Sequence, residues 1–391
     1  MKITDVRFEK VTGSIDRELP TEEEGQVWAL NIYPDHRYRE VSYPGPVDRD
    51  HPRAVERLYM FIDTDQGISG MTAVSASWAR VVHESMRQYL VGQDPIAAER
   101  IWDVIKRSNR MGHRGASVIA LAAVDLALWD IRGKAAGMPV YRLLGGPTVD
   151  RIPAYVSTLG LSLEPEKAFE RAQAFKEQGF RAQKWFFRYG PGDGRRGMQK
   201  NLELVRILRE AVGEEIDLMF DAFQGWDVPY AIEMCRRMEP YGPRWMEEPV
   251  QVDRVGGYAQ IRRSTRVPIA GGEHEQTRWG FKVLLDAEAV DVLQPDVMGV
   301  GGLSEAVKIA ALASAYDKPV IPHGGNVHLI ASQSPAVCPL FEYLHTWFEM
   351  GQWFNKNKTM VRDGFVLLPT GPGLGVELDQ ERILTREPWH P

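Results

Sequence analysis

Lys184, Asp221, Glu247, Glu273, Asp296, His323 and Glu342 follow one another at intervals of 19 to 37 residues, about one strand-plus-helix unit each. Each falls within or just after a short apolar run, where a buried strand ends. If those strands lie parallel and side by side, the seven groups ring one cavity. Carboxylates crowded in this way repel one another and hold protons more tightly unless a cation joins them. Asp221, Glu247 and Glu273 therefore predict a hard divalent ion, and an all-oxygen donor set points to one Mg2+. Asp296 and His323 come from adjacent strands, so the carboxylate can hold one imidazole nitrogen and leave the other as a proton acceptor. Taken singly, each residue also has a structural reading. Asp221 can cap a helix and Asp296 a turn, Glu247 and Glu248 can be loop charges before Pro249, His323 can simply pack, and Lys184 can be a salt-bridge partner. Independent structural causes would not align all of them at successive strand ends, and the joint pattern favours chemistry.

The elements that must position these groups are legible around them. "IPAYVS" (152–157), "RAQKWFF" (181–187), "EIDLMFD" (215–221), "RWMEE" (244–248), "VPIAGG" (267–272), "VDVLQPD" (290–296), "KPVIPH" (318–323) and "FEYLH" (341–345) are strand candidates. Amphipathic helices fill the gaps, for example over 199–212 and 302–316. Strands alternating with helices mean parallel βα units, and eight in about 200 residues fit a barrel better than an open sheet. Residues 1–140 instead read as an α+β unit. "ITDVRFEKVTG" and "RLYMFIDTDQGISGMTAV" alternate as antiparallel strands do, with a turn at Asp65–Gly67 and a long polar loop between them. Helices are expected near 79–91, 95–110 and 114–136, the last buried on all sides and capped by Gly137. The expected division is a cap over 1–140, a catalytic barrel over 141–350, and a tail over 351–391 that returns to the cap.

Composition narrows the class. The chain has 391 residues, 44% of them hydrophobic and 26% charged, with a net charge of −6. No basic stripe is present to neutralise phosphates, so nucleic acid is not an expected partner. No window approaches the length of a membrane-spanning helix. The N-terminal "MKITDVRFEK" alternates like a strand and has no apolar core of a signal peptide. Two isolated cysteines, Cys235 in a helix and Cys338 in a strand, predict a reducing compartment, and cytoplasm is the default.

"DAFQGW" (221–226), "WMEEP" (245–249), "GGE" (271–273), "LQPDVMGVGG" (293–302), "VIPHGG" (320–325) and "GPGLGVEL" (371–378) resemble the mandelate racemase/muconate lactonizing enzyme branch of the enolase superfamily. The order and spacing of six motifs carry the likeness from the first barrel strand to the tail. The resemblance implies an α/β fold, a modified TIM barrel of (β/α)7β type under an α+β capping domain. It implies Mg2+ on Asp221, Glu247 and Glu273, and removal of the proton α to a carboxylate. By the same resemblance, Glu342 matches the family's hydrogen-bonding glutamate and Lys184 a lysine of the second strand. Either could donate a hydrogen bond to the substrate carboxylate, Glu342 only if protonated. A homo-oligomer is likewise implied.

Relatives that use a second base on that strand carry Lys-x-Lys, whereas this chain reads Lys184-Trp185-Phe186. With one strong base left, a one-face reaction is expected: His323 takes the C2 proton and an acid protonates the departing C3 hydroxyl. His323 itself or His274 serves as that acid. Among dehydratases the resemblance is greatest to the L-rhamnonate dehydratase group, through "GEH" (272–274), "GPGDG" (190–194), "PDHRYRE" (34–40) and "IPHGGNV" (321–327). That group has a substrate-contacting His before a Trp in its capping loop, where this chain has Val27 before Trp28. An acid sugar with a different distal end, such as L-lyxonate or L-fuconate, fits equally. Arg39, His36 and Arg188 are the candidate distal contacts. A racemase or epimerase is the competing expectation. Glu275, beside His274, is expected to begin the next helix and face away from the site.

Overall fold

The computed structural model describes residues 1–15, 23–37 and 52–391. Strand β1 (Ile3–Ile15) turns apolar side chains inward at nearly every second position and pairs antiparallel with β2 (Arg53–Thr64). A tight turn joins β2 to β3 (Ser69–Val74), also antiparallel. Against this sheet lies helix Ala116–Ala136, closed by Gly137 in the left-handed conformation. That helix is apolar around most of its circumference because it packs on the sheet and on the barrel at once. The expected helix over 79–91 is α-helical only from Ala76 to Val81, then widens into a π turn over Val82–Met86 and tightens into a 3-10 turn over Arg87–Tyr89.

The barrel runs β4 (Arg151–Ser157), β5 (Ala182–Phe186), β6 (Asp217–Asp221), β7 (Trp245–Glu247), β8 (Ile269–Gly271) and β9 (Val292–Leu293), each parallel to the one before. Val320 and His323 continue it as single bridges to Leu293 and Asp296. Strand β10 (Phe341–Leu344) returns to pair parallel with β4, so eight segments stand round one axis with helices outside. The tail then adds β11 (Val361–Arg362), antiparallel to β12 (Phe365–Leu367), which itself pairs antiparallel with the start of β4. It ends as β13 (Thr385–Trp389) on the free edge of β1. Both cysteines are buried and free; Cys235 is helical, and Cys338 sits in a bend rather than in the expected strand. No helix among the described residues is long and apolar enough to cross a membrane.

Two buried aspartates of the long helix fix cap to barrel and tail. Asp130 accepts from Met71 N at 3.0 Å and Leu374 N at 2.9 Å, joining β3 to the "GPGLG" turn. Asp125 accepts from Ser304 N at 2.9 Å and Ser304 Oγ at 2.5 Å, while Trp129 Nε1 donates to the same hydroxyl at 2.9 Å. A side chain at Gly302, whose φ is +100°, would collide with Asp125 Oδ2 at 2.4 Å, so only glycine lets the helices approach.

Burial raises the Asp125 carboxyl from 3.8 to about 6, against the pull of the Ser304 hydrogen bonds. The folded chain therefore binds this proton more tightly than the unfolded one. Its contribution to stability is complete below about pH 4 and is lost as pH rises through about 6. Replacing Asp125 by Asn removes that dependence. Between those pH values the variant's unfolding free energy should gain on the wild type by up to about 3 kcal/mol, at 1.36 kcal/mol per pKa unit. Denaturant titrations across that range measure it; parallel curves for the two proteins would rule it out.

Candidate active site

One buried layer contains Tyr155, Ala182, Met219, Trp245, Ala270, Val292, Ile321 and Leu340, one residue from each barrel segment. Side chains two residues apart on a strand point the same way. The next layer toward the C-terminal end is therefore Ser157, Lys184, Asp221, Glu247, Gly272, Gln294, His323 and Glu342. An apolar plug is thus overlaid by a polar ring. This is how the barrel brings residues from eight segments to one place.

Lys184 sits at the centre, 1% exposed. Its ammonium lies 2.5 Å from Glu247 Oε1, 2.8 Å from Glu342 Oε1 and 3.3 Å from Asp221 Oδ2. Burial opposes its charge, but Glu247 and Glu342 outweigh that and hold its pKa well above the usual value. The rings of Phe186 and Tyr155 flank the ammonium at 5.3 and 6.0 Å. Glu247 also accepts from Trp245 Nε1 at 2.9 Å and Gln294 Nε2 at 2.6 Å. Burial, and then the charge of Glu247, push the Asp221 carboxyl well above its ordinary range.

Glu273 links this ring to two imidazoles. His323 Nδ1 stands 2.8 Å from its Oε2 and 3.0 Å from Glu342 Oε2, and His274 Nδ1 stands 3.4 Å from its Oε1. Burial works to raise Glu273, yet the positive charge of His323 holds it at about 2. Burial likewise opposes ionisation of Glu342, but Lys184 and His323 keep it well below the usual range. Glu342 is thus an acceptor here, toward Lys184 and toward Gly324 N at 2.8 Å. The expected bond from Asp296 to His323 is not formed. The two residues meet as backbone bridge partners, while the imidazole turns to the nearer pair of carboxylates, Glu273 and Glu342. Asp296 instead accepts from Met298 N at 2.9 Å, and burial raises its pKa against the influence of His323.

His274 is held by Glu248, whose carboxylate oxygens lie 2.8 and 3.0 Å from Nδ1. Burial opposes protonation of His274, but Glu248 outweighs it and raises the imidazole to about 9. Glycine at 272 carries a φ of +125°, and a Cβ there would meet Phe281 at 2.8 Å. The two glycines of "IAGGEHE" thus let the strand turn tightly into the site. Glu275 does not face water at a helix start. The helix begins at Thr277, and Glu275, 2% exposed, is covered by Arg114 of the cap at 2.8 Å.

Of the proposed distal contacts, Arg188 is engaged by Glu24 of the cap and lines a separate cavity of about 250 Å³ with Tyr189 and Lys200. His36 is exposed on a turn against Tyr33 and Asp35. Arg39 lies outside the described residues.

The donor chemistry suits a divalent cation. Asp221 and Glu247 offer buried carboxylates and Glu273 a half-buried one, and oxygen or nitrogen atoms of Glu248, Glu273 and His274 lie within 4.8 Å of one another. Buried atoms without a hydrogen bond gather here too: Tyr155 Oη, Gln294 Oε1, Glu342 Oε1 and His323 Nδ1, the last two within ion-pair range but misaligned.

Comparison with known proteins agrees with this architecture. Residues 167–382 match the family described as enolase C-terminal domain-like, and residues 56–145 match the mandelate racemase/muconate lactonizing enzyme N-terminal domain. An L-rhamnonate dehydratase of Saccharopolyspora erythraea is 34% identical, covering 81% of each chain. A D-galactarolactone cycloisomerase of Agrobacterium fabrum is also 34% identical, over 75% of this chain and 81% of the other. The crystal structure of a racemase from Streptomyces coelicolor A3(2) with bound magnesium superposes with a TM-score of 0.80 at 29% identity, over 97% of this chain and 98% of that one.

Proposed function

Because the chain belongs to the mandelate racemase/muconate lactonizing enzyme family of the enolase superfamily, with its capping domain and TIM barrel, we propose that it is a Mg2+-dependent dehydratase of an acid sugar. It would remove the C2 proton of an aldonate and eliminate the C3 hydroxyl, giving a 2-keto-3-deoxy acid. The observation that carries this reading is the pair of imidazoles, His323 and His274, standing on the two oxygens of one carboxylate, Glu273.

Asp221, Glu247 and Glu273 would hold the metal. When bound there, Mg2+ supplies Lewis-acid stabilisation of the negative charge that gathers on the substrate carboxylate. Lys184 donates a hydrogen bond toward the same charge, its ammonium kept in place by Glu342. Neutral once a bound metal takes up the charge of Glu273, His323 would accept the C2 proton, with Asp296 beside it to favour the imidazolium that forms. His274 delivers a proton to the departing hydroxyl, which leaves as water, and the enol product ketonises. Arg39, His36 and Arg188 remain proposals for the distal end of the sugar. Arg188 can act there only after leaving Glu24 or through the cap segment that Glu24 anchors.

The same two imidazoles also suit a racemase or epimerase, with one base for each face of C2. Incubation of a library of diastereomeric aldonates with Mg2+ and semicarbazide decides between them. The dehydratase gives an ultraviolet-absorbing semicarbazone; C2 deuterium incorporation from deuterated water without any keto product supports the epimerase. A library giving neither result would sink both.

A further inference from the structure

One buried carboxylate at the site takes no part in the dehydration proposed. Glu248 follows Glu247, is 1% exposed, and belongs to none of the roles assigned. Its backbone is in the left-handed region, with φ of +38°, as are Phe223 at +45° and Gln224 at +61° on the neighbouring strand end. A non-glycine residue adopts that conformation only when its surroundings impose it. Here Gln224 N donates to Glu248 O at 2.8 Å and Glu248 N donates to Ala270 O at 3.1 Å, pinning both turns to β8. The consequence is to swing the Glu248 side chain away from Lys184 and toward His274.

We infer that Glu248 is a positioning residue, whose carboxylate accepts from Nδ1 and fixes the ring orientation of His274, so that the Nε2–H of its imidazolium faces the departing hydroxyl. Both of its oxygens lie on Nδ1, at 3.0 and 2.8 Å, so Nδ1 is the donor of that contact. The edge of the imidazole is braced by Phe223, with centroids 5.9 Å apart at 66°. Nε2 has no hydrogen bond among the described residues, and it is the nitrogen left to meet a substrate. A carboxylate behind one ring nitrogen commits the other to the reacting atom, as in other histidine pairs. The His274 side chain is 40% exposed and would otherwise sample several rotamers, so the buried Glu248, nearer to Nδ1 than Glu273, anchors it.

The inference rests on the dehydratase reading, and its test separates the two. Glu248→Leu removes the acceptor at similar volume, and Glu248→Gln restores a carbonyl that can still accept from Nδ1. With an aldonate that the wild type dehydrates, Glu248→Leu should lower elimination at least 100-fold and alter C2 deuterium exchange less than threefold. Glu248→Gln should recover most of the elimination. Equal losses of exchange and elimination, or no loss, would overturn the assignment. Long-range nitrogen–proton spectra of histidine-labelled protein need no substrate. They should place a proton on His274 Nδ1 in wild type and Glu248→Gln, and on Nε2 alone in Glu248→Leu. An unchanged spectrum in the Leu variant refutes the positioning role even if no aldonate reacts. Magnesium titration guards against the opposite error: a loss of affinity beyond tenfold in Glu248→Gln makes Glu248 a ligand rather than a positioner.

Discussion

Replacing His323 by Asn should abolish exchange of the substrate C2 hydrogen with deuterated water, and elimination with it, by roughly 10²–10⁴-fold, the span of general acid–base catalysis. His323 lies two residues beyond the buried Ile321 and so faces the same way, into the polar ring. Its Nδ1 is already within 3.0 Å of two carboxylates, which gives the imidazole its affinity for a proton. Asparagine keeps a polar group of similar reach and cannot take a proton from carbon. Because the side chain is 27% exposed, its loss leaves a small wet gap and not a core cavity. The far-ultraviolet circular dichroism should therefore match the wild type. His274→Asn gives the contrasting result on the dehydratase reading: elimination falls while exchange at C2 continues. A His323→Asn protein that still exchanges C2 hydrogen would remove the assigned base. Equal losses of exchange in both histidine variants would favour the two-base epimerase.

Much of this arrangement is legible in the sequence because strand period and βα spacing are both regular. Lys184, Asp221, Glu247, His323 and Glu342 each fall within or at the end of an apolar run, and the fold places them in one layer. What the spacing could not reveal are residues whose type carries no chemical signature. Gln294, which donates to Glu247 at 2.6 Å, and Tyr155, beneath Lys184, look in the sequence like ordinary strand residues. Counting two onward from each plug residue would have found Gln294. Glu248 escaped for another reason: an acidic pair before proline resembles a solvated loop, and its burial follows from a left-handed turn that no local pattern announces. Glu275 was misread because its partner, Arg114, lies 161 residues away in the cap. Contacts between the two domains depend on tertiary packing, and periodicity is silent about that. The Asp296–His323 contact failed on electrostatics. Adjacent strands do bring the residues together, but the imidazole follows the two closer carboxylates.

Lys184→Met should make the fold of this protein depend on a divalent cation. In the wild type one ammonium faces Glu247, Glu342 and Asp221 at 2.5, 2.8 and 3.3 Å, all four groups at most 2% exposed. Methionine fills the same channel between the rings of Phe186 and Tyr155 without a charge, so packing is nearly conserved. Three buried carboxylates then face one another with no cation between them. Breaking a buried ion pair from one side costs on the order of 3–5 kcal/mol, because the remaining charge stays desolvated. In chelator, the variant's Tm should fall by about 5 °C, at the roughly 1.2 °C per kcal/mol that an unfolding entropy of about 2.1 cal/mol/K per residue gives for 391 residues. Ligand binding to the native state adds stability by mass action, so saturating Mg2+ should return most of that loss. The wild type, which has its own internal cation, should gain far less. The measurement is a pair of thermal melts for each protein, with chelator and with Mg2+. A large loss that Mg2+ does not repair would mean that Asp221, Glu247 and Glu273 are a structural ion-pair network and not a metal site. A variant as stable as the wild type in chelator would mean that the carboxylates protonate at little cost. Only a deficit repaired by the ion ties the buried charge of this ring to the proposed chemistry.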